Sequence, residues 1–238
     1  MRALGVDLVE LSCTPPYAPP YAKRVIKRLG RSLGREYLWE KAPQRCQHLS
    51  RCLDSGVAAA GVEAVLVFGS ESCAYSHTSV PLFAFADSVF GSRLDFYDDQ
   101  LVRRVSRTSM REGVEVQQRA LDRLTHLFIT SRWAWNRAQK RFGYRDAESK
   151  VVVTGIGANL PFVDRPLPPA EQHRYVWIGG DWKRKGGDRA CAVVEELRRR
   201  GVDARLDVAG TAPDRKESWL TSHGRIEGIA AMRALYSR

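Results

Sequence analysis

The stretch "VWIGGDWKRKGGDRACAVVEELRRRG", residues 176–201, combines an apolar run, a glycine-rich turn and a helical pattern in direct succession. The apolar run predicts a buried strand that ends at Gly179 and Gly180. Three consecutive cations follow at 183–185, and an amphipathic helix is expected from about residue 187. Because a second apolar run, "ARLDVAG", comes next, the sequence predicts a βαβ unit with parallel strands.

Four apolar runs earlier in the chain predict another sheet. They are "EAVLVFGS", "PLFAFADS", "HLFITS" and "KVVVTGIGAN". Ser131 is expected to cap the helix "RWAWNRAQKRFG", which should stop at Gly143. Continuous apolar strands that alternate with helices are typical of a parallel sheet with helices on both faces, so the predicted fold class is α/β.

Less regular patterns lead to further expectations. A short strand is expected at 6–11, "VDLVEL". A basic, amphipathic helical region should run from about Ala22 to Ser55, with breaks near Gly30, Gly34 and Pro43. A long helix is expected from about Asp98 to Arg123, and only two strands are expected after residue 170.

The proline-rich segment "LPFVDRPLPPAEQ" predicts a linker between the two sheets. The expected organisation is an N-terminal domain at 1–160, a linker at 161–172 and the beginning of a second domain at 173–238.

The composition narrows the classes of partner. The chain has 238 residues, a formal charge of +11 and an isoelectric point near 9.7, which favours nucleic acid, an anionic membrane or a phosphorylated small molecule. No nucleic-acid-binding module is recognisable, so nucleic acid is not expected. The basic stretch Lys23–Arg45 is either a solvated helix face or a peripheral contact with the inner face of a membrane.

The cysteines and the apolar runs indicate the cellular compartment in which the protein is expected. Five cysteines without a CxxC pair or a metal-type spacing with histidine favour a reduced, cytoplasmic chain without a metal site. The N-terminus lacks the pattern of a signal peptide, and no apolar run approaches the roughly 18 residues of a membrane span.

The turn after the predicted strand has the chemistry of an anion site. Ligands of open α/β sheets bind at the carboxyl ends of the strands, where Gly179 and Gly180 are expected. Lys183, Arg184 and Lys185 would add full charges to the partial charges of the helix N-terminus, an arrangement that suits a diphosphate. The spacing is neither a GxGxxG motif nor a P-loop, and the alternative is a glycine-rich turn with a solvated basic face.

Together, "RALDRLTHLFITSRWA", "VVVTGIGAN" and "DWKRKGG" resemble the retaining glycosyltransferases of family 4, and the "dWxRKGG" type is the most similar. The resemblance covers most of residues 60–238. It implies a GT-B fold, in which two Rossmann-like domains face a cleft, and the transfer of a sugar from a nucleotide-sugar donor to an acceptor with retention. Neither a metal nor another cofactor is expected, and the acceptor can be a glycan, a lipid or a small molecule.

The resemblance also implies roles for single residues. Lys185 is expected to bind the donor diphosphate, with Arg184 or Lys183 as the second cation. Members of the family usually carry an arginine after the first glycine of this loop, where this chain has Gly180. Gly157 and Asn159 are expected at the hinge side of the cleft.

Asp87 follows a predicted strand at a position where relatives keep an Asp or His that faces the acceptor. It is therefore the candidate catalytic residue, and the alternative is that it caps the next helix. His77 lies nearby in a polar loop and is expected to face solvent.

Two segments of the family are expected outside this chain. They are the first strand with its glycine-rich loop, and the later acidic motif that holds the donor. The chain therefore resembles a piece of a longer enzyme with an incomplete second domain. The alternative function is a catalytically inactive relic or subunit that binds nucleotide-sugar.

Overall fold

The computed structural model describes residues 5–12, 25, 28, 37–92, 94, 105–157, 173–211 and 217–236. The chain divides into two compact units, Met1–Ile156 and Gly157–Arg238, and each contains a parallel sheet. The protein is therefore α/β with Rossmann-like sheets. The predicted linker at 161–172 lies outside the described residues.

The first unit is a four-stranded parallel sheet with the strand order β1-β2-β3-β4. Each apolar run that predicted a strand of this sheet forms one, within a residue or two of the expected bounds. The elements are α1 (Pro43–Ala60), β1 (Val65–Phe68), β2 (Leu82–Ala86), α2 (Arg107–Arg123), β3 (His126–Ile129), α3 (Arg132–Phe142) and β4 (Val151–Val153).

One face of this sheet carries the core. Side chains of all three helices pack with alternate residues of the strands in a single apolar cluster, in which Trp135 and Leu127 are completely buried. Because each crossover adds the next strand in the same direction, right-handed connections place the helices on one side of the sheet.

The opposite face of the sheet is apolar but exposed. Its two rows of paired residues are Leu66, Phe83 and His126, and Phe68, Phe85, Phe128 and Val152. Phe68 is 86% exposed. The expectation of helices on both faces is therefore not met at β1, because the Leu66 and Phe68 side chains on this face are exposed.

Local signals set the ends of the helices. The Ser131 side chain accepts a hydrogen bond from the Ala134 N–H, and Gly143 ends α3 in a left-handed conformation, so both predictions are confirmed. The α2 helix begins at Arg107, later than expected, because the side chain of Ser106 caps it. The predicted break near Pro43 is confirmed, because Ala42 is extended and Pro43 starts α1, a position that requires no amide hydrogen. The expected breaks near Gly30 and Gly34 lie outside the described residues.

The second unit is a three-stranded parallel sheet in the order β5-β6-β7. Its apolar cluster lies between the sheet and the first of its two helices and contains Trp177, Trp182 and Val194. The elements are β5 (Arg174–Gly179), α4 (Gly187–Arg199), β6 (Arg205–Gly210), β7 (Leu220–Gly224) and α5 (Ile229–Tyr236).

Two further expectations from the sequence are wrong. Residues 6–11 form no strand and have no regular secondary structure. The second sheet contains three strands, because "LTSHG" pairs with β6 as β7 although it lacks a continuous apolar run. Among the described residues, no helix combines the length and the apolar character needed to cross a membrane.

Candidate functional site

Glycines line the carboxyl edge of the three-stranded sheet. Gly179, Gly210 and Gly224 end β5, β6 and β7 respectively. A Cβ on Gly210 would lie 2.0 Å from the carbonyl oxygen of Gly179, and Gly210 has φ +111°, so only glycine fits there. The Thr211 N–H donates to the same carbonyl at 3.0 Å. Backbone atoms, rather than side chains, therefore form the surface of this edge.

Backbone hydrogen bonds fold the cationic loop into a compact turn. The Lys185 N–H donates to the Asp181 carbonyl at 2.9 Å, and the Gly187 N–H donates to the Trp182 carbonyl at 2.9 Å. Gly186 lies between them in the left-handed region with φ +75°, where a glycine costs least. The loop is therefore ordered before α4 begins.

Trp182 anchors the loop to the sheet. Its side chain is buried, its ring centroid lies 4.8 Å from that of Trp177, and its Nε1–H donates to Asp188 Oδ1 at 2.8 Å. Gly187 leaves the space that the ring fills, since a Cβ there would lie 2.2 Å from the indole. The Trp177 Nε1–H also donates to the Lys185 carbonyl at 3.2 Å.

The three cations of the loop differ in their surroundings. The N–H and Nε of Arg184 both donate to the Asp181 carboxylate at 3.1 Å. The hydrogen bond from the Arg184 N–H, and then the guanidinium, hold the pKa of Asp181 below its usual range. Lys183 and Lys185 are exposed, and neither ammonium has a hydrogen bond or an ion pair within the described chain. These two lysines are therefore better candidates than Arg184 for residues that bind a ligand.

Lys185 lies directly beside the glycine edge. Its Cβ is 3.2 Å from the position that a Cβ on Gly179 would take, so the base of the lysine side chain lies against the end of β5. The first helical hydrogen bond of α4 runs from the Ala190 N–H to the Gly186 carbonyl, and the N–H groups of Asp188 and Arg189 precede it. Backbone N–H groups and the base of a lysine side chain thus occur together at one strand end, near the negatively charged side chains of Asp181 and Asp188.

The remaining candidates are more dispersed. Gly180 and Gly157 are exposed, with open space where a Cβ would be, and Asn159 lies outside the described residues. Asp87 is exposed at the carboxyl end of β2, and its Oδ1 accepts from Ser88 Oγ at 3.0 Å. It does not cap the next described helix, which Ser106 caps. His77 is exposed, as expected, and its N–H donates to Asp54 at 2.9 Å.

Sequence reasoning missed a buried polar cluster in the second sheet. Asp207, in the middle of β6, is 1% exposed. Arg174 Nε donates to Asp207 Oδ2 at 2.6 Å, and His223 Nε2 hydrogen-bonds to Oδ1. The sequence signal for this cluster was the acidic residue within the apolar run "RLDVAG". Its partners Arg174 and His223 lie on β5 and β7, and only the register of these strands with β6 brings them next to Asp207.

The described chain contains no group of three His, Cys, Asp or Glu side chains that could hold a metal ion together. No model of a known protein family matches the sequence, and no curated protein matches it significantly.

Proposed function

We propose that this chain binds the diphosphate of a nucleotide-sugar donor and works as a retaining glycosyltransferase of the GT-B type, or as a piece of one. The observation that supports this proposal is the position of Lys185, whose Cβ lies beside Gly179 at a strand end with neighbouring backbone donors. A diphosphate takes several charge-assisted hydrogen bonds at once, which matches an ammonium beside a helix N-terminus.

In this proposal Lys185 and Lys183 contact the diphosphate, while Arg184 stays paired with Asp181 and positions the loop. As the bond between sugar and diphosphate breaks, negative charge accumulates on the leaving nucleotide. The lysines stabilise that charge, and the sugar passes through an oxocarbenium-like state.

Asp87 is the proposed residue on the acceptor side. It is exposed at the carboxyl end of β2, where ligands of parallel sheets bind, and its carboxylate accepts a hydrogen bond only from its neighbour Ser88 among the described residues.

Titration calorimetry of the full chain with UDP, GDP and their sugars tests the donor site. The substitution Lys185→Ala should weaken nucleotide binding roughly 10- to 100-fold, the effect of losing one charge-assisted hydrogen bond. The matched substitution Lys140→Ala, at an exposed lysine on α3, should leave the affinity for the nucleotide unchanged. Equal losses in both variants, or no binding to the unaltered chain, would contradict the proposal.

An assay for sugar release or transfer separates the enzyme from a protein that only binds the donor. Turnover that falls in Lys185→Ala and in Asp87→Asn supports the glycosyltransferase. Binding that depends on Lys185 without any turnover supports the alternative, an inactive nucleotide-sugar-binding subunit.

A further inference from the structure

A second cationic feature lies in the first unit. A groove of about 930 Å³ runs along α2 and is bounded by the residues that follow α3. Its floor and walls include Arg107, Met110, Arg111, Val114, Phe142 and Arg145, which together we call the arginine groove.

The floor of the arginine groove is apolar and packs against the core of the unit. Val114 and Phe142 are half-buried and pack against the core of the unit. The Phe142 ring stacks on Phe90, with 5.8 Å between the ring centroids, and it fills the space above Gly91 that a Cβ would occupy. The floor therefore offers a fixed apolar surface.

A side-chain amide fixes the far wall of the groove. The Arg145 N–H donates to Gln118 Oε1 at 2.9 Å, and Gln118 Nε2 donates to the Arg145 carbonyl at 3.2 Å. These two bonds tie the loop after α3 to α2. The side chain of Arg145 is thereby held beside the groove without using its guanidinium.

The three arginines of the groove are exposed and uncompensated. The guanidinium groups of Arg107, Arg111 and Arg145 make no hydrogen bond or ion pair within the part of the chain that the structure describes. Farther along the same groove the lining also contains two acids: Glu115 pairs with Arg119 at 3.1 Å, and Asp122 accepts a hydrogen bond from Gln118 Nε2 at 2.7 Å. Uncompensated charges above an apolar floor favour a ligand that is both anionic and apolar.

We propose that the arginine groove binds an acidic segment of a partner protein, with apolar side chains on the floor and carboxylates on the arginines. Arg107 and Arg111 are one helical turn apart, and Gln118, which holds Arg145, lies three turns from Arg107, or about 17 Å. Charges spread over that length suit acidic residues at successive turns of a peptide. A single phosphate is too short to reach all three.

Other polyanions fit this surface less well. The surface is concave, whereas a membrane is contacted best by side chains that protrude from a helix face. Single-stranded nucleic acid needs exposed aromatic rings for base stacking, but Phe142 is half-buried and already stacked on Phe90.

Fluorescence anisotropy of the full chain with a labelled peptide tests the proposal. The probe has about 12 residues, three helical turns, with Glu at successive turns and Leu and Phe between them. The double variant Arg107→Gln/Arg111→Gln should bind it about tenfold more weakly, as expected for the loss of two exposed ion pairs. The control variant Arg51→Gln/Arg225→Gln has the same net charge and should bind within twofold of the unaltered chain.

Each other outcome contradicts the proposal. Equal losses in the two double variants would mean that only the net charge attracts the peptide. Undiminished binding of a peptide with Gln in place of Glu would exclude carboxylate recognition. Tighter binding of single-stranded DNA, or of vesicles that contain phosphatidylserine, with the same dependence on Arg107 and Arg111, would assign the groove to those ligands. None of these results depends on Lys185.

Discussion

At the scale of single residues, the cationic loop depends on positions where a side chain is missing. Trp182 fills the volume above Gly187, and the ring then reaches Asp188 with its Nε1–H. The indole therefore fixes the start of α4 and the direction in which the cations leave the loop. Gly180, only a few residues earlier, has open space where a Cβ would be.

The substitution Gly187→Ala should destabilise the second unit by about 1–3 kcal/mol, because the new methyl group overpacks against the Trp182 ring. Urea unfolding followed by tryptophan fluorescence measures this change. The control Gly180→Ala should change the free energy of unfolding by no more than about 0.5 kcal/mol. Equal effects of the two alanines would show that Trp182 does not hold the loop.

At the scale of elements, β6 contains a carboxylate where an apolar strand would be expected. Burial alone would raise the pKa of Asp207, but hydrogen bonds from Arg174 and His223, and their charges, hold it below its usual range. The folded state thus favours the ionised carboxylate and ties all three strands of the sheet together through it.

This pKa shift predicts how the stability of the second unit depends on pH. A carboxyl whose folded pKa lies below its unfolded value of about 3.9 stabilises the fold above about pH 5, and this contribution is lost as the pH falls through both values. The substitution Asp207→Asn should cost about 2–3 kcal/mol at pH 7, less than a fully buried pair, because the Arg174 side chain is 20% exposed.

Urea unfolding between pH 3 and pH 7 measures this dependence. The difference between the unaltered chain and Asp207→Asn should shrink steadily below about pH 4, where both proteins lack the charge. A difference that stays constant over the whole range would mean that packing, rather than ionisation, explains the effect. Glu227→Gln, on the same unit and 80% exposed, provides a control that should change the free energy of unfolding at pH 7 by no more than about 0.5 kcal/mol.

At the scale of the whole molecule, the first sheet exposes an apolar face on a strongly charged protein. Phe68 is 86% exposed and Leu66 is 45% exposed, beside the half-buried rings of Phe83, Phe85 and Phe128. Parallel sheets normally have both faces covered. Such a patch binds hydrophobic dyes and promotes self-association.

The substitution Phe68→Glu should lower the fluorescence of bound ANS at least twofold and reduce light scattering at high protein concentration. It should change the free energy of unfolding by no more than about 0.5 kcal/mol, because the ring is mostly exposed. Val193→Glu serves as a control, since Val193 is 55% exposed on α4 of the other unit and should leave the dye signal unchanged. If both substitutions lower the signal equally, this face is not the dye site.

The sequence by itself determined the elements that rest on local chemistry. The apolar runs of β1 to β6, the Ser131 cap and the Gly143 stop can be read from neighbouring residues, because a strand or a cap needs only a short segment. The cluster of glycines and cations after β5 was visible for the same reason. The polar β7 was not visible in the sequence, because its pairing with β6 depends on a partner strand.

Only the tertiary structure decided which of these residues meet. The pairing of Arg184 with Asp181 depends on the turn of the loop, and the approach of Lys185 to Gly179 depends on the anchor of Trp182. The Asp207 cluster requires the register of three strands, and the core of the first sheet requires α1, α2 and α3 to pack on the same side of it. The physical reason is that a sequence pattern fixes which side of an element is apolar, whereas long-range packing fixes which neighbours that side receives.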